Sequence, residues 1–406
     1  MKAPAIAPSD PVDRRRRTAL KTLAAVPLTG FPAVGRAAVP AVRIGYALPL
    51  SGPLAHHAQV AQQRSVQLWL EQIHAGGGLL VKGVRRPIDL IGYDDRGAPD
   101  LTAHHYLRLM TVDKVDLILA PFSSDATFAV APLANKYGYP LLAPTGISRK
   151  LIDMRHPYFF SLVEQPDKIM GALVELMASC GVRSIGVLYL DDFFGTESLS
   201  GLRLALRGTP IEMSIELPYV PEGPDLSGQL KAIAASGAEG FIGLTGPDAT
   251  FSLVAQARKV SFDRKLLYAG VGTAGPDFRA AMGKAAEGVL GTAAWSPKSG
   301  AAAKAFYDAY VNRFGSEPDR WSAGFAYAGM QILQEAVAYE GLNRSALRQY
   351  IGAHSFHTIV GLMQFAGSEN ASMSGAVGQW QNGEFEIVWP PARATASMVF
   401  PKAAWS

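Results

Sequence analysis

The chain has 406 residues, 49% of them hydrophobic and 18% charged, with a single cysteine, Cys180. That length exceeds one ordinary core, so two domains are expected, and one cysteine excludes an internal disulfide. The formal charge of +4 belongs to the first 37 residues, where Lys2, Arg14, Arg15, Arg16, Arg17, Lys21 and Arg36 stand against Asp10 and Asp13; the remainder is near neutral and asks for no nucleic acid.

Residues 1–37 read as an export leader rather than as part of the fold. Arg14 to Arg17 precede a short apolar stretch to Val34, and Gly35-Arg36-Ala37 offers a cleavage site. Pro27, Gly30 and Pro32 interrupt the apolar stretch, which is too short to span a membrane. Arg16-Arg17-Thr18-Ala19-Leu20-Lys21 resembles a twin-arginine signal, with Ala19 where a bulkier residue is more usual. The plainer alternative is a disordered basic tail. No cysteine follows the apolar stretch, so a lipid anchor is not indicated.

After the leader the elements alternate. Val42 to Leu50 reads as a strand and Leu54 to Ala75 as an amphipathic helix, stopped by Gly76-Gly77-Gly78. Ile88 to Tyr93 is a second strand. Pro99 to Thr111 is a helix with Pro in its first turn and Asp100 near its start. Leu117 to Ala120 is a short apolar strand followed by Ser123, Ser124 and Asp125, each able to cap a helix. Thr127 to Tyr137 is that helix, with Phe128, Pro132-Leu133 and Tyr137 expected toward the core and Gly138 as its stop. Pro140 to Ala143 is the next strand, and Thr145-Gly146-Ile147-Ser148 lies just past its end.

This β-α-β-α-β-α-β run is the pattern of a parallel sheet with helices on both faces. The same alternation then repeats: helix from Pro166 to Cys180, strand from Ser184 to Leu190, helix from Gly195 to Leu206, strand from Ile211 to Leu217. It continues with a helix from Asp225 to Ala235, a strand from Gly240 to Thr245, a helix from Asp248 to Val260 and a strand from Leu266 to Ala269. Ala301 to Phe314, Trp321 to Tyr339 and Ser345 to Ile351 are helices without intervening strands. Gly378 to Val388 is a hairpin on the type I′ turn pair Asn382-Gly383. Cys180, closing an apolar helix, is expected as a buried, inert thiol.

Two adjacent parallel strands place the Ser123-Ser124 turn and the Thr145 to Ile147 turn at one carboxyl edge, where open α/β sheets bind ligands. Free N–H groups at a helix N-terminus suit a carboxylate there. The competing reading is that Ser123 and Ser124 only cap the helix.

The stretch SSxxTxAVAPLANKYGxPLLAPTG resembles the ligand-binding segment of the periplasmic Leu/Ile/Val-binding protein family, the solute-binding subunits of ABC importers. Ile44 to Pro53, Gln67 to Gly77, Tyr93-Asp94-Asp95 and Ala286-Glu287-Gly288 resemble that family in the same order, from about Val42 onward. The resemblance implies two doubly wound parallel-sheet lobes, 38–162 plus 295–363 and 163–294 plus 364–406. Three hinge crossings, near Phe160, Ala294 and Gln364, would join them.

It also implies a ligand carboxylate held at Ser124 and at Thr145, Gly146 and Ile147; Ser123 and Phe122, in the same turn, are further candidates of this chain. Ile147 stands where family members often carry threonine, so that hydroxyl is missing unless Ser148 replaces it. Phe194 stands where a tyrosine is usual; it can stack but cannot donate. The family's acid for the ligand ammonium falls at Ala269, before Gly270. Either Asp248, Asp191 or Asp192 takes that role, or the ligand is not a standard amino acid but a small carboxylate or amide flanked by Phe122, Phe194 and Trp321. Trp321 is a further aromatic candidate, and Tyr46 is as well suited to the core as to the site.

Other motifs carry weaker signals. Gly270-Val271-Gly272-Thr273-Ala274-Gly275 matches the GxGxxG form of a dinucleotide site. No helix can start before Pro276, however, and no acid follows in Val289 to Ala294. A flexible loop at the sheet edge is the simpler reading. His57, with His56, lies in the first edge loop and is either a ligand contact or a surface residue; His104-His105 reads as a solvated helix face. Asp94-Asp95 ends a strand and reads as a loop cap.

The expectation is an exported, monomeric, two-lobed solute-binding protein with no cofactor and no catalysis. Its partners would be a small molecule and the permease subunits of an ABC importer in the periplasm. A sensor of the same fold is the alternative, and an enzyme is disfavoured by the lack of a GxSxG, Walker, CxxC or HExxH motif.

Overall fold

The computed structural model describes residues 39–220 and 225–405. The expected leader therefore lies outside the described residues. Two groups of parallel strands organise the rest. Near the N-terminus, Val42–Leu48 lies between Ile88–Asp94 and Leu117–Ile118, all parallel. Leu141–Ala143 and Phe159–Ser161 form a further parallel pair. The second sheet has seven strands in the order Glu384–Trp389, Ala376–Gln381, Leu290–Ala293, Leu266–Tyr268, Gly240–Leu244, Ser184–Leu190, Glu212–Tyr219. Its first two strands are antiparallel, closing one edge with the hairpin; the other five are parallel. Asn382 and Gly383 both take positive φ, 51° and 82°, the conformation a type I′ turn demands.

The helices begin and end where local chemistry says they should. Pro99 opens Pro99–Thr111, Pro166 opens Pro166–Ser179 and Pro247 opens Pro247–Lys259, each at a position whose N–H would be unpaired. Gly138, at φ 71°, ends Ser124–Tyr137. The face of that helix differs from expectation. Ala126, Val130, Ala131 and Ala134 are buried, whereas Phe128 and Pro132 are exposed. Small side chains let the helix sit close on the sheet, and Phe128 instead meets the ring of Phe193 at 5.1 Å.

The first helix is also not uniform: Ala55–Ala58 and Arg64–Ala75 flank a π-helical turn, Gln59–Gln63. Such wide turns recur at functional sites. Buried Gln62 anchors this one by donating to the Ala120 carbonyl at 2.7 Å.

The chain passes from one strand group to the other through 162–165, 294–300 and 371–375. Before the last passage it makes a small antiparallel sheet that the periodicity does not reveal, Ser355–Thr358, Gly361–Ala366 and Glu369–Asn370. The chain joins the seven-stranded sheet only at Ala376, some way beyond Gln364. Another unforeseen hairpin pairs Leu79–Val81 with Val84–Arg86. Among the described residues no helix is long and apolar enough to cross a membrane.

Candidate ligand site between the two sheets

The carboxyl ends of both strand groups face a cavity of about 400 Å³. Such edges are where parallel α/β sheets hold ligands, because loops diverge there and helix N-termini converge. From the first strand group come the edge loop with His57, the turn Phe122, Ser123, Ser124, and the turn Thr145, Gly146, Ile147. From the second come Phe194 and Gly272, and Trp321 precedes the helix Ser322–Glu340. Three expected residues do not line this cavity. Asp248 turns its carboxylate to His57 Nε2 at 2.8 Å and is mostly exposed. Ala269 is fully buried among strand ends. Gly270 borders only a neighbouring void of about 20 Å³.

The serine corner is internally tied. Ser124 is buried; its Oγ accepts from Ile147 N at 3.2 Å and lies 3.3 Å from the Ile147 carbonyl. Ser123 caps the helix by accepting from Ala126 N at 3.3 Å, in a left-handed conformation with φ 88° that is costly outside glycine. Thr145 Oγ1 accepts from Ser123 N and lies within reach of the Pro121 carbonyl, both at 3.3 Å. The two turns are thus locked to each other, with the helix N-terminus at the cavity wall. Ser148 does not replace a missing hydroxyl there: it is fully buried and donates to Glu197 Oε2 at 2.8 Å. Tyr46 packs with the core beside Gly92 and does not line the cavity.

The charges on the wall were only partly legible in the sequence. The lining carries Asp125, Asp192, Asp277 and Asp319, and neither lysine nor arginine. Of the three acids considered for an ammonium, only Asp192 is there. Its Oδ1 accepts from Gly195 N at 2.7 Å, capping Phe193–Ala205. Burial pushes its carboxyl above the usual range, and the charge of Asp125 adds to that; burial raises Asp125 likewise. Two desolvated carboxylates, one from each side, favour a cation between them. Asp319 is 6% exposed; Oδ1 accepts from Trp321 N, Ser322 N and Ser322 Oγ at 2.9, 2.6 and 2.8 Å, which sets the start of the helix bearing Trp321. Its spacing of two and three residues before the first turn is a capping signal that could have been read.

Several contacts span the cavity mouth. His56 Nε2 meets Asp277 Oδ2 at 2.7 Å, His57 meets Asp248, and Lys150 Nζ meets Glu197 Oε1 at 3.2 Å. His104 is exposed as expected, but His105 is not simply solvated: its ring stacks on Tyr93 at 4.8 Å. Asp94 accepts from Leu50 N and Ser51 Oγ among others, which holds its carboxyl down to about 2, and Asp95 accepts from Gly97 N; both shape loops.

The GxGxxG segment is explained by packing. A Cβ on Gly270 would stand 2.3 Å from the Thr245 carbonyl oxygen, and Gly272 has φ 95°. The following helix, Pro276–Met282, starts after the third glycine, so its N-terminus does not lie within the motif. Among the described residues no group of three or more His, Cys, Asp or Glu is placed to hold a metal.

A two-sheet α/β fold with a cavity between opposed strand ends defines a solute-binding class, and the chain belongs to the periplasmic binding protein family, whose model matches residues 41–384. The architecture is that of the type I members. Among curated proteins it is similar to Leu/Ile/Val-binding protein homolog 7 of Brucella melitensis, 22% identical, covering 89% of this chain and 94% of the relative. Among solved structures it is similar to the branched-chain amino acid substrate-binding protein LivJ of Streptococcus pneumoniae in complex with isoleucine. That match has TM-score 0.76 and 22% identity, covering 86% of this chain and 100% of the other. A solute-binding protein of an ABC transporter from R. palustris in complex with benzoate matches with TM-score 0.78 and 19% identity, covering 90% and 98%. The family is one of solute binding rather than of enzymes.

Proposed function

We propose that this chain is the extracytoplasmic solute-binding component of an ABC importer. It takes one small amino-acid-like molecule into the cavity and closes on it by bending at the three passages. The observation that carries this reading is the cavity of about 400 Å³ between opposed carboxyl edges, lined by the N-terminus of the Ser124 helix and by Asp125 and Asp192, one acid from each side, with no lysine or arginine. The ligand carboxylate sits at the N–H groups of the Ser124 and Ile147 turns. A cationic group sits between Asp125 and Asp192, in place of the acid absent at Ala269. Contacts across the mouth, from His56, His57 and Lys150, stabilise the closed form. The exposed surface so formed meets the permease subunits.

Ala269 favours a second reading, an amine-free carboxylate such as the benzoate held by the R. palustris protein. A thermal-shift screen of the chain without its first 37 residues separates the two. Ligand at about 100 times its dissociation constant stabilises by about 2.7 kcal/mol, enough to move the melting point by a few degrees. The proposal expects shifts with amino acids and related zwitterions. Shifts with aromatic or aliphatic carboxylates alone would select the second reading, and silence across both groups would remove the support for either.

A further inference from the structure

Glu164 is unused by this account. It lies on the first passage, 1% exposed, and neither of its carboxyl oxygens has a hydrogen-bond partner. The adjacent Gln165 Oε1 and the indole Nε1 of Trp321 are also buried without partners. The indole N–H faces the Glu164 carboxyl and, with the backbone N–H of Glu164, already favours its charged form, although neither closes a full hydrogen bond to it.

The charged groups facing Glu164 are Arg393 and Lys168. Both are committed elsewhere. Arg393 donates to the carbonyls of Ser374 and Ala294, on the other two passages. Lys168 donates to the Asn370 carbonyl and pairs with Glu369, both at 2.9 Å. Burial therefore outweighs their attraction, and the Glu164 carboxyl is pushed up to about 7.

We propose that Glu164 is the positioning residue for Trp321: on ionising it captures the indole N–H and draws one wall of the cavity toward the passages. A neutral carboxyl buried without partners costs less than a carboxylate there, and among the described residues Trp321 supplies a buried, unpartnered side-chain donor that faces it, beside the backbone N–H of Glu164 itself. Trp321 borders both the cavity and the small void shared with Pro166, two residues beyond Glu164, so the ring has unfilled space on that side. The wall seen here belongs to the neutral acid. A ligand that packs against it favours protonated Glu164, and its affinity falls as the group ionises. That consequence rests on the cavity being the ligand site; the movement of Trp321 does not.

The test is a pH titration of Trp321 emission in the unliganded protein, taken as the difference between wild type and Trp321→Phe. The expected result is a single-proton transition near neutral pH that disappears in Glu164→Gln. A transition that persists in Glu164→Gln, or no transition in wild type, would overturn the proposal. His56 and His57 remain in Glu164→Gln, so a transition that belonged to either of them would persist in that variant. Should Glu164→Gln fail to fold, ligand affinity in Trp321→Phe, which keeps Glu164, serves instead. Wild type then shows a Kd rising several-fold from about pH 6 to about pH 8, limited to tenfold per pH unit for one proton, and Trp321→Phe loses most of that rise. An equal rise in both would refute it. Failure of every ligand in the thermal screen would remove the proposed function while leaving the emission titration to decide this point.

Discussion

The mouth of the cavity and its back treat charge in opposite ways. At the mouth, His56 with Asp277 and His57 with Asp248 form close hydrogen-bonded contacts in which at least one partner is well exposed. At the back, Glu164 is dry and unpaired. Wet pairs gain little on forming and lose little on breaking, which suits contacts that would open for each ligand under the proposed function. A dry carboxyl is expensive to ionise, so it either keeps its proton or seizes a donor. On the proposed reading, contacts at the mouth set how easily the cavity opens, whereas Glu164 sets the shape of its wall.

The comparison is sharpened most by the back. With its folded value raised to about 7, Glu164 binds its proton more tightly in the folded than in the unfolded chain. Its contribution is fully present below the ordinary carboxylate range and is lost as pH rises toward and through 7. Glu164→Gln should remove that slope and stabilise the protein at about pH 8 by on the order of 3 kcal/mol, read by denaturant unfolding at acid and alkaline pH. A wild-type slope identical to that of the variant would break the contrast.

Ser124 lies between the extremes, buried but bonded. Ser124→Ala strands the Ile147 N–H and unlocks the two turns, so ligand affinity should fall by about 1–3 kcal/mol, measured by calorimetry. Unchanged affinity would mean that the carboxylate is held elsewhere. Asp192→Asn should weaken ammonium-bearing ligands by a similar or smaller amount and spare amine-free carboxylates; equal loss for both would argue against a cation between Asp125 and Asp192.

The mouth should show the smallest effect. A double-mutant cycle on His57 and Asp248 should give a coupling of about 1 kcal/mol or less, shrinking in high salt. A coupling of several kcal/mol would place the pair among the dry interactions and erase the distinction.

Much of the fold was legible because it rests on local rules. Apolar strand runs, Pro at helix starts and Gly138 or Asn382-Gly383 at turns act over a few residues, and those elements stand close to where the pattern puts them. The short strands after Ser355 escaped because their alternation is brief and their pairing is tertiary. Within the site, the Ser123-Ser124 and Thr145 to Ile147 turns could be read together, since adjacent parallel strands bring them to one edge. Asp125, beside Ser124, was legible only as a helix cap, and Asp277 and Asp319 could not be placed at the cavity because they come from elements far apart in the chain.

The sequence by itself determined the alternation of strands and helices, the family and the sheet edge that borders the cavity, all of which follow from periodicity and from short motifs in order. Only the tertiary structure decided which acids face the cavity, that Asp248 turns to His57 and that Ser148 is spent on Glu197. It alone buried Glu164 beside Trp321, 157 positions further along the chain. The reason is physical: burial and partnership are properties of neighbours in space, and residues from distant segments become neighbours only when the two sheets and the passages between them have packed.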